Sequence, residues 1–192
     1  MISEREWVES WVDDLEADLN KSQPIDKQVK VGDQEPLIYE YKIESYLGKN
    51  PSDSSSNVYK TDVLIWEEIE GGSWVPRVVI ETKLKKVSTH DALTYSSKAA
   101  THKHVHPYLR YGILVGGFGD RPLPGKLFKH GAYFDFMLIW PNIKPKGSEW
   151  TAFLELIKVE INASREIQTL LKDSRKKNRR KIRSIHRPLV IN

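Results

Sequence analysis

The sequence predicts an α/β fold: a mixed central β-sheet flanked by helices. Three observations carry that expectation. Apolar residues recur at three- and four-residue spacing in Glu4 to Leu19 and again in Glu149 to Leu171, the period of an amphipathic helix. Between them lie apolar, β-branched runs at Thr61 to Trp66, Val78 to Leu84, Tyr111 to Gly116 and Tyr133 to Trp140. A chain of 192 residues, 39% hydrophobic and 29% charged, is long enough to bury one proper core and ordinary enough in composition to be globular. The alternation of helical and extended segments then favours helices packed on a sheet.

The first helix buries Trp7, Val8, Trp11, Val12, Leu15 and Leu19. Ser3 with Glu6 three residues on has the form of a capping box, and Gln23-Pro24 ends the segment. A second helix is predicted from Asp33 or Gln34, with Leu37, Ile38, Tyr41, Tyr46 and Leu47 as its apolar side and Gly48 as its stop. Glu40 and Glu44 share one of its faces. Asn50 to Asn57, rich in serine, reads as a polar loop. A hairpin follows around Gly71-Gly72. Ser88-Thr89-His90-Asp91 then starts a helix running through Ala99 and Ala100 towards His104, with Tyr95, Lys98 and His102 along one side. Two short buried strands and the long C-terminal helix complete the order, and the basic stretch beyond is a candidate extension of that helix. The glycines at Gly116-Gly117-Phe118-Gly119 lack the pattern of a nucleotide-binding loop. The organisation is a single domain over 1–192: N-terminal helices in 1–48, a core in 58–140, and a C-terminal helix with a basic tail in 149–187.

Zero cysteines exclude disulfides, thiolate zinc sites and cysteine nucleophiles together. No apolar run approaches the roughly 20 residues that span a bilayer, and the N-terminus lacks a signal-peptide pattern, so no membrane association and a cytoplasmic location are expected. Net charge is only +4, but nine Lys and Arg residues lie between Lys172 and Arg187 against the single acid Asp173. Such a run is either a solvated tail or a contact for an anionic partner. Arg175, Lys176, Lys177, Arg179 and Arg180 are the candidates for DNA phosphates.

The hairpin concentrates the chemistry. A two-residue turn at Gly71-Gly72 puts Asp62 directly opposite Glu81, with Cβ atoms roughly 5 Å apart. Two carboxylates so placed repel each other unless a cation lies between them. Lys83, two residues after Glu81, shares its face. The alternative is an ordinary polar strand end, with Asp62 capping a turn. Pro76, which suits an edge or a bulge, threatens the register, since a slip would separate the carboxylates.

Asp62 followed by Glu81-Thr82-Lys83 at the end of the next strand resembles the signature of the PD-(D/E)XK, or restriction-endonuclease-like, nucleases, over roughly Leu37 to Trp140. The resemblance implies a restriction-endonuclease-like core and a DNA endonuclease that hydrolyses phosphodiester bonds. Asp62, Glu81 and the carbonyl of Thr82 would hold Mg²⁺, for which Mn²⁺ substitutes, while Lys83 orients or activates the attacking water. Thr61 stands where the pattern has Pro. A glutamate from a preceding helix often joins such sites, and Glu44 is the candidate. The helix after Lys83 often borders the cleft, which suggests Tyr95, Lys98 and His90. The stretch from Asp91 to Gly112 is similar to small cleavage subunits of heterodimeric type IIS restriction enzymes, so the implied setting is a bacterial cytoplasm. The implied partners are double-stranded DNA and a second protein, either a larger recognition and nicking subunit or another copy. A structure-specific repair or recombination nuclease, and a non-catalytic nucleic-acid-binding module using the basic C-terminal segment, are the alternatives. His102, His104 and His106 alternate, which admits a zinc site or a contact with phosphate or a neighbouring subunit.

Overall fold

A computed structural model describes residues 2–21, 23–187 and 189–191. It shows a mixed α/β architecture in which a five-stranded sheet is covered on both faces by helices. Strands β1 (Lys30–Asp33), β4 (Val63–Ile69), β5 (Ser73–Leu84), β6 (Arg110–Gly116) and β7 (Phe136–Ile139) are neighbours in the order β1-β4-β5-β6-β7. The β1-β4 and β4-β5 pairs are antiparallel, whereas β5-β6 and β6-β7 are parallel. Helix α3 (Thr89–Val105) makes the crossover from β5 to β6.

One face of the sheet packs against α1 (Glu4–Glu9), α2 (Val12–Asn20) and α5 (Gly147–Asp173). Trp7, Trp11, Trp140, Trp150 and Phe153 meet there in edge-to-face and tilted pairs against Val63, Ile65, Val78 and Ile80. Gly116 lies so close to Trp7 that a Cβ would come within 2.1 Å of the indole, so the strand passes beneath the ring only without a side chain. The opposite face carries Leu64, Val79, Tyr111, Ile113 and Val115 against α3 and the short helix α4 (Gly125–His130).

Several elements depart from expectation. The N-terminal helix is two helices, because Ser10 turns its hydroxyl back to the Trp7 carbonyl at 2.7 Å and the chain breaks before Trp11. Its capping box is present: Glu6 N–H donates to Ser3 Oγ at 3.1 Å, and Ser3 N–H donates to Glu6 Oε2 at 2.7 Å. The larger correction concerns Pro36 to Lys60. The predicted second helix is strand β2 (Pro36–Leu47), and the predicted serine loop is its antiparallel partner β3 (Asn50–Lys60). Leu37, Ile38 and Tyr41 fit a helical stripe, but Leu37, Tyr39, Tyr41 and Ile43 also fit a period of two, and a β-branched, aromatic segment prefers the strand. The serine-rich partner has no strand signal of its own; cross-strand hydrogen bonds supply the structure. Beyond Tyr39 this two-stranded arm is largely exposed over roughly 25 Å. Helix α5 ends at Asp173, so the basic stretch does not extend it. Strand β1 and helix α4 were not foreseen.

Candidate active site

The β4–β5 hairpin sets the carboxylates. Val63 pairs with Ile80, Leu64 with Val79 and Ile65 with Val78, and one step outward this register puts Asp62 opposite Glu81. In place of the expected two-residue turn, a three-residue turn over Glu70–Gly72 closes on the Ile69–Ser73 pair. That shift of one residue is undone by a bulge between the Ile65–Val78 and Trp66–Pro76 pairs, where Arg77 is the extra residue. Pro76 borders the bulge, as a residue without an N–H should. Arg77 is held in it by Glu67, at 2.6 Å from Nε and 2.5 Å from Nη2.

Asp62 precedes β4 and is fixed from two sides. Thr82 donates its N–H to Asp62 Oδ2 at 2.8 Å and its hydroxyl to the same oxygen at 3.1 Å. On a strand the N–H and C=O of one residue point the same way, so the Thr82 carbonyl also faces the Asp62 side. Thr61, in the place the nuclease pattern gives to Pro, donates both its N–H (3.0 Å) and its hydroxyl (2.9 Å) to the Glu35 carbonyl. A proline could make neither bond. The departure from the pattern therefore has a structural use: it anchors the chain entering Asp62.

Glu81 is 1% exposed. Its Oε1 accepts a hydrogen bond of 2.5 Å from the Tyr111 hydroxyl on β6 and lies 3.8 Å from Lys98 Nζ on α3. Its Oε2 is buried and has no hydrogen-bond partner among the described residues. Burial, then the charge of Asp62, raises the Glu81 pKa to about 7, with Lys98, Tyr111 and Lys83 opposing. Without a cation, this carboxyl therefore holds a proton over much of the range below neutrality. A buried carboxylate oxygen with no partner among the described residues, in the field of a second carboxylate, suits an added positive ion.

Lys83 is tied to Glu4 at the start of α1. Its Nζ lies 3.0 Å from Glu4 Oε2, and Glu4 Oε1 accepts the Leu84 N–H at 3.2 Å. Asp91 lies 4.0 Å away, and the Tyr95 ring centroid 5.2 Å. Burial alone would lower the Lys83 pKa. The Tyr95 hydroxyl and Glu4 carboxylate outweigh it and raise the pKa above its ordinary value. Lys83 is thus a permanent ammonium in this arrangement, a source of positive charge rather than a proton acceptor.

Of the residues singled out in the sequence, the structure brings together Asp62, Glu81, Thr82, Lys83, Tyr95 and Lys98. Lys98 sits 5.2 Å from the Tyr95 ring and 5.4 Å from the Tyr59 ring, which hold its ammonium towards Glu81. His90 is on the exposed first turn of α3, 3.4 Å from Thr94 Oγ1, at the rim rather than in the cleft. Glu44 is a correction: it lies on the exposed arm, not on a helix, and accepts from Ser55 at 3.0 Å. The helical glutamate beside the hairpin is Glu4 instead.

Arg175, Lys176, Lys177, Arg179 and Arg180 are exposed but stand at the opposite end of the sheet. Gln168 of α5 already meets Arg77 at 3.1 Å, six residues or roughly 20 Å before Lys83 along β5, and the basic residues follow beyond it. Lys176 pairs with Asp173 at 2.7 Å, and Arg180 lies 3.5 Å from Glu166.

The three histidines do not form the alternating set a strand would give, because His102 and His104 lie on α3 and His106 caps it. His102 is fully buried beside Tyr39, Tyr59 and Tyr111. Among the described residues no group of three or more Asp, Glu, His or Cys side chains is gathered to hold a metal ion. A cation at the hairpin end would therefore draw on two carboxylates and backbone oxygen. That hard-oxygen set fits Mg²⁺, which commonly takes one or two carboxylates and fills its remaining positions with water or substrate phosphate.

Sequence reasoning missed Tyr111 and Glu4. Each comes from an element far from the hairpin in sequence, and only the β5–β6 pairing and the packing of α1 bring them in. No protein-family model matches the chain, and no curated protein matches it at a significant level.

Proposed function

We propose that this chain is a Mg²⁺-dependent DNA endonuclease of the restriction-endonuclease-like kind, with one active site that hydrolyses one strand. The observation that carries the reading is the buried, partnerless Oε2 of Glu81 opposite Asp62, with the ammonium of Lys83 beside them. Asp62, Glu81 and the Thr82 carbonyl would hold the ion. When bound, Mg²⁺ polarises a scissile phosphate and lowers the pKa of a coordinated water. Lys83 supplies fixed positive charge where negative charge builds in the transition state, which requires it to turn from Glu4 towards the substrate. Tyr95 and Lys98 orient the cation-rich wall of the cleft.

A single site per chain requires a second site for a duplex cut. Within this reading the finer assignment is a type II restriction enzyme acting as a homodimer, or the cleavage subunit of a heterodimeric type IIS enzyme. Supercoiled plasmid incubated with Mg²⁺, alone and with the genomically adjacent protein, tests both levels. Nicked circles that disappear in Glu81→Gln support the nuclease, and linear product only with the second protein supports the heterodimer. Intact plasmid under every condition, with DNA still bound, would favour a non-catalytic binding module.

A further inference from the structure

The two carboxylates share a feature that the family pattern does not describe: each has one oxygen engaged by the protein. Thr82 occupies Asp62 Oδ2 through its N–H and its hydroxyl. Tyr111 occupies Glu81 Oε1. The remaining oxygens differ from these. Among the described residues, Glu81 Oε2 is buried without a partner, and no side chain or backbone group hydrogen-bonds Asp62 Oδ1. A carboxylate at the end of a glutamate side chain turns easily about its last bond. A short bond to a fixed hydroxyl removes that freedom.

The Tyr111 hydroxyl is fixed by packing. The residue is 0% exposed, its ring lies 5.7 Å from the buried His102 ring, and Leu37, Leu64, Val79, Ala99 and Leu109 form the same cluster. Its strand is paired in register with β5, Tyr111 against Val79 and Ile113 against Glu81, so sheet geometry sets the reach from β6 to Glu81.

We infer that Tyr111 and Thr82 are positioning residues of the proposed metal site. Each takes up one carboxylate oxygen and so leaves Glu81 Oε2 and Asp62 Oδ1 to face the cation, one oxygen from each side chain. The inference rests on the metal-site reading above and deepens it. The Thr82 carbonyl is a proposed ligand, but its hydroxyl, like that of Tyr111, acts only through a carboxylate; groups that orient a ligand in this way change metal affinity or activity by 10- to 100-fold when removed.

The test uses Mn²⁺ as the probe, followed by electron paramagnetic resonance of the free ion and by the metal-induced rise in melting temperature at pH 8. Tyr111→Phe should weaken Mn²⁺ binding by about 10-fold or more and shrink the metal-induced rise. A merely structural tyrosine would lower the melting temperature in EDTA yet leave the dissociation constant and the metal-induced rise intact; that result overturns the inference. Thr82→Val removes only the hydroxyl bond to Asp62, so a smaller loss of affinity is expected, and an unchanged affinity counts against the inference even if Tyr111→Phe fails to fold. Wild type that takes up no Mn²⁺ defeats the metal-site reading itself. Wild type that binds Mn²⁺ as tightly as both variants defeats only the positioning roles.

Discussion

Lys83 Nζ lies 3.0 Å from Glu4 Oε2, which ties the end of strand β5 to the first helix of the chain. With its side chain 17% exposed and Glu4 at 43%, the pair sits at a wet boundary, where an ion pair contributes on the order of 1 kcal/mol or less. Its importance is chemical: with Tyr95, it holds the Lys83 pKa above its ordinary value and so favours the ammonium form. Lys83→Ala should therefore lower plasmid nicking by about 100-fold or more while changing duplex affinity only about threefold, as measured by fluorescence anisotropy in Ca²⁺. Equal losses in cleavage and binding would assign Lys83 to DNA binding alone.

Glu81 should destabilise the metal-free protein at alkaline pH. Its pKa is raised from 4.5 to about 7, so the folded state binds the proton more tightly than the unfolded state. The associated stability is fully present below pH 4.5 and is lost as pH rises through about 7. Glu81→Gln keeps a hydrogen-bond acceptor for Tyr111 but carries no charge. In EDTA at pH 8 it should be more stable than wild type by about 2 to 3 kcal/mol, with the gap closing by pH 4.5. Urea unfolding at both pH values measures this, and a variant less stable at pH 8 would contradict it.

His102 acts with the opposite sign. Burial, followed by the positive charges of His106 and Lys98, lowers its pKa from 6.5 to about 4. The unfolded chain thus takes up a proton at a higher pH than the folded one, and stability is lost as pH falls from 6.5 towards 4. Between pH 7 and pH 4.5 wild type should lose about 2 to 3 kcal/mol more than His102→Leu, which has nothing to protonate. Identical acid sensitivity in the two proteins would show that the imidazole is not neutral and buried.

The arm of β2 and β3 should be dispensable for the body. Tyr41, Ile43, Tyr46, Leu47 and Val58 are all exposed, and isolated two-stranded ribbons are marginal in water. Replacing Tyr41 to Ser56 by an Asn-Gly turn should leave the melting temperature within a few degrees of wild type. The stacked Tyr39–Tyr59 pair (3.7 Å between centroids), which packs against His102, should stay. Collapse of the fold on this deletion would mean that the arm stabilises more than itself.

What the sequence made legible follows physical lines. The hairpin was readable because β-branched runs around a glycine turn are local signals. The Asp62–Glu81 register came out as expected only because two departures cancel, a turn one residue longer and the bulge at Arg77. Leu37 and Tyr41 misled because they satisfy two periodicities, and Ser52 to Ser56 gave no signal because their strand exists by pairing. Glu44 failed with the helix that was to carry it. Tyr111 and Glu4 were invisible for a different cause. A tyrosine opening a buried strand, or a glutamate on an N-terminal helix, is unremarkable until topology sets it beside a carboxylate or a lysine.

Titration calorimetry of Mg²⁺ into the metal-free protein at pH 8, with Asp62→Asn and Glu81→Gln alongside, probes the paired carboxylates most directly. Heat from a saturable site in wild type that vanishes in both variants is the predicted result. The same isotherm in all three proteins, or none in wild type, would mean that Asp62 and Glu81 do not hold an ion together.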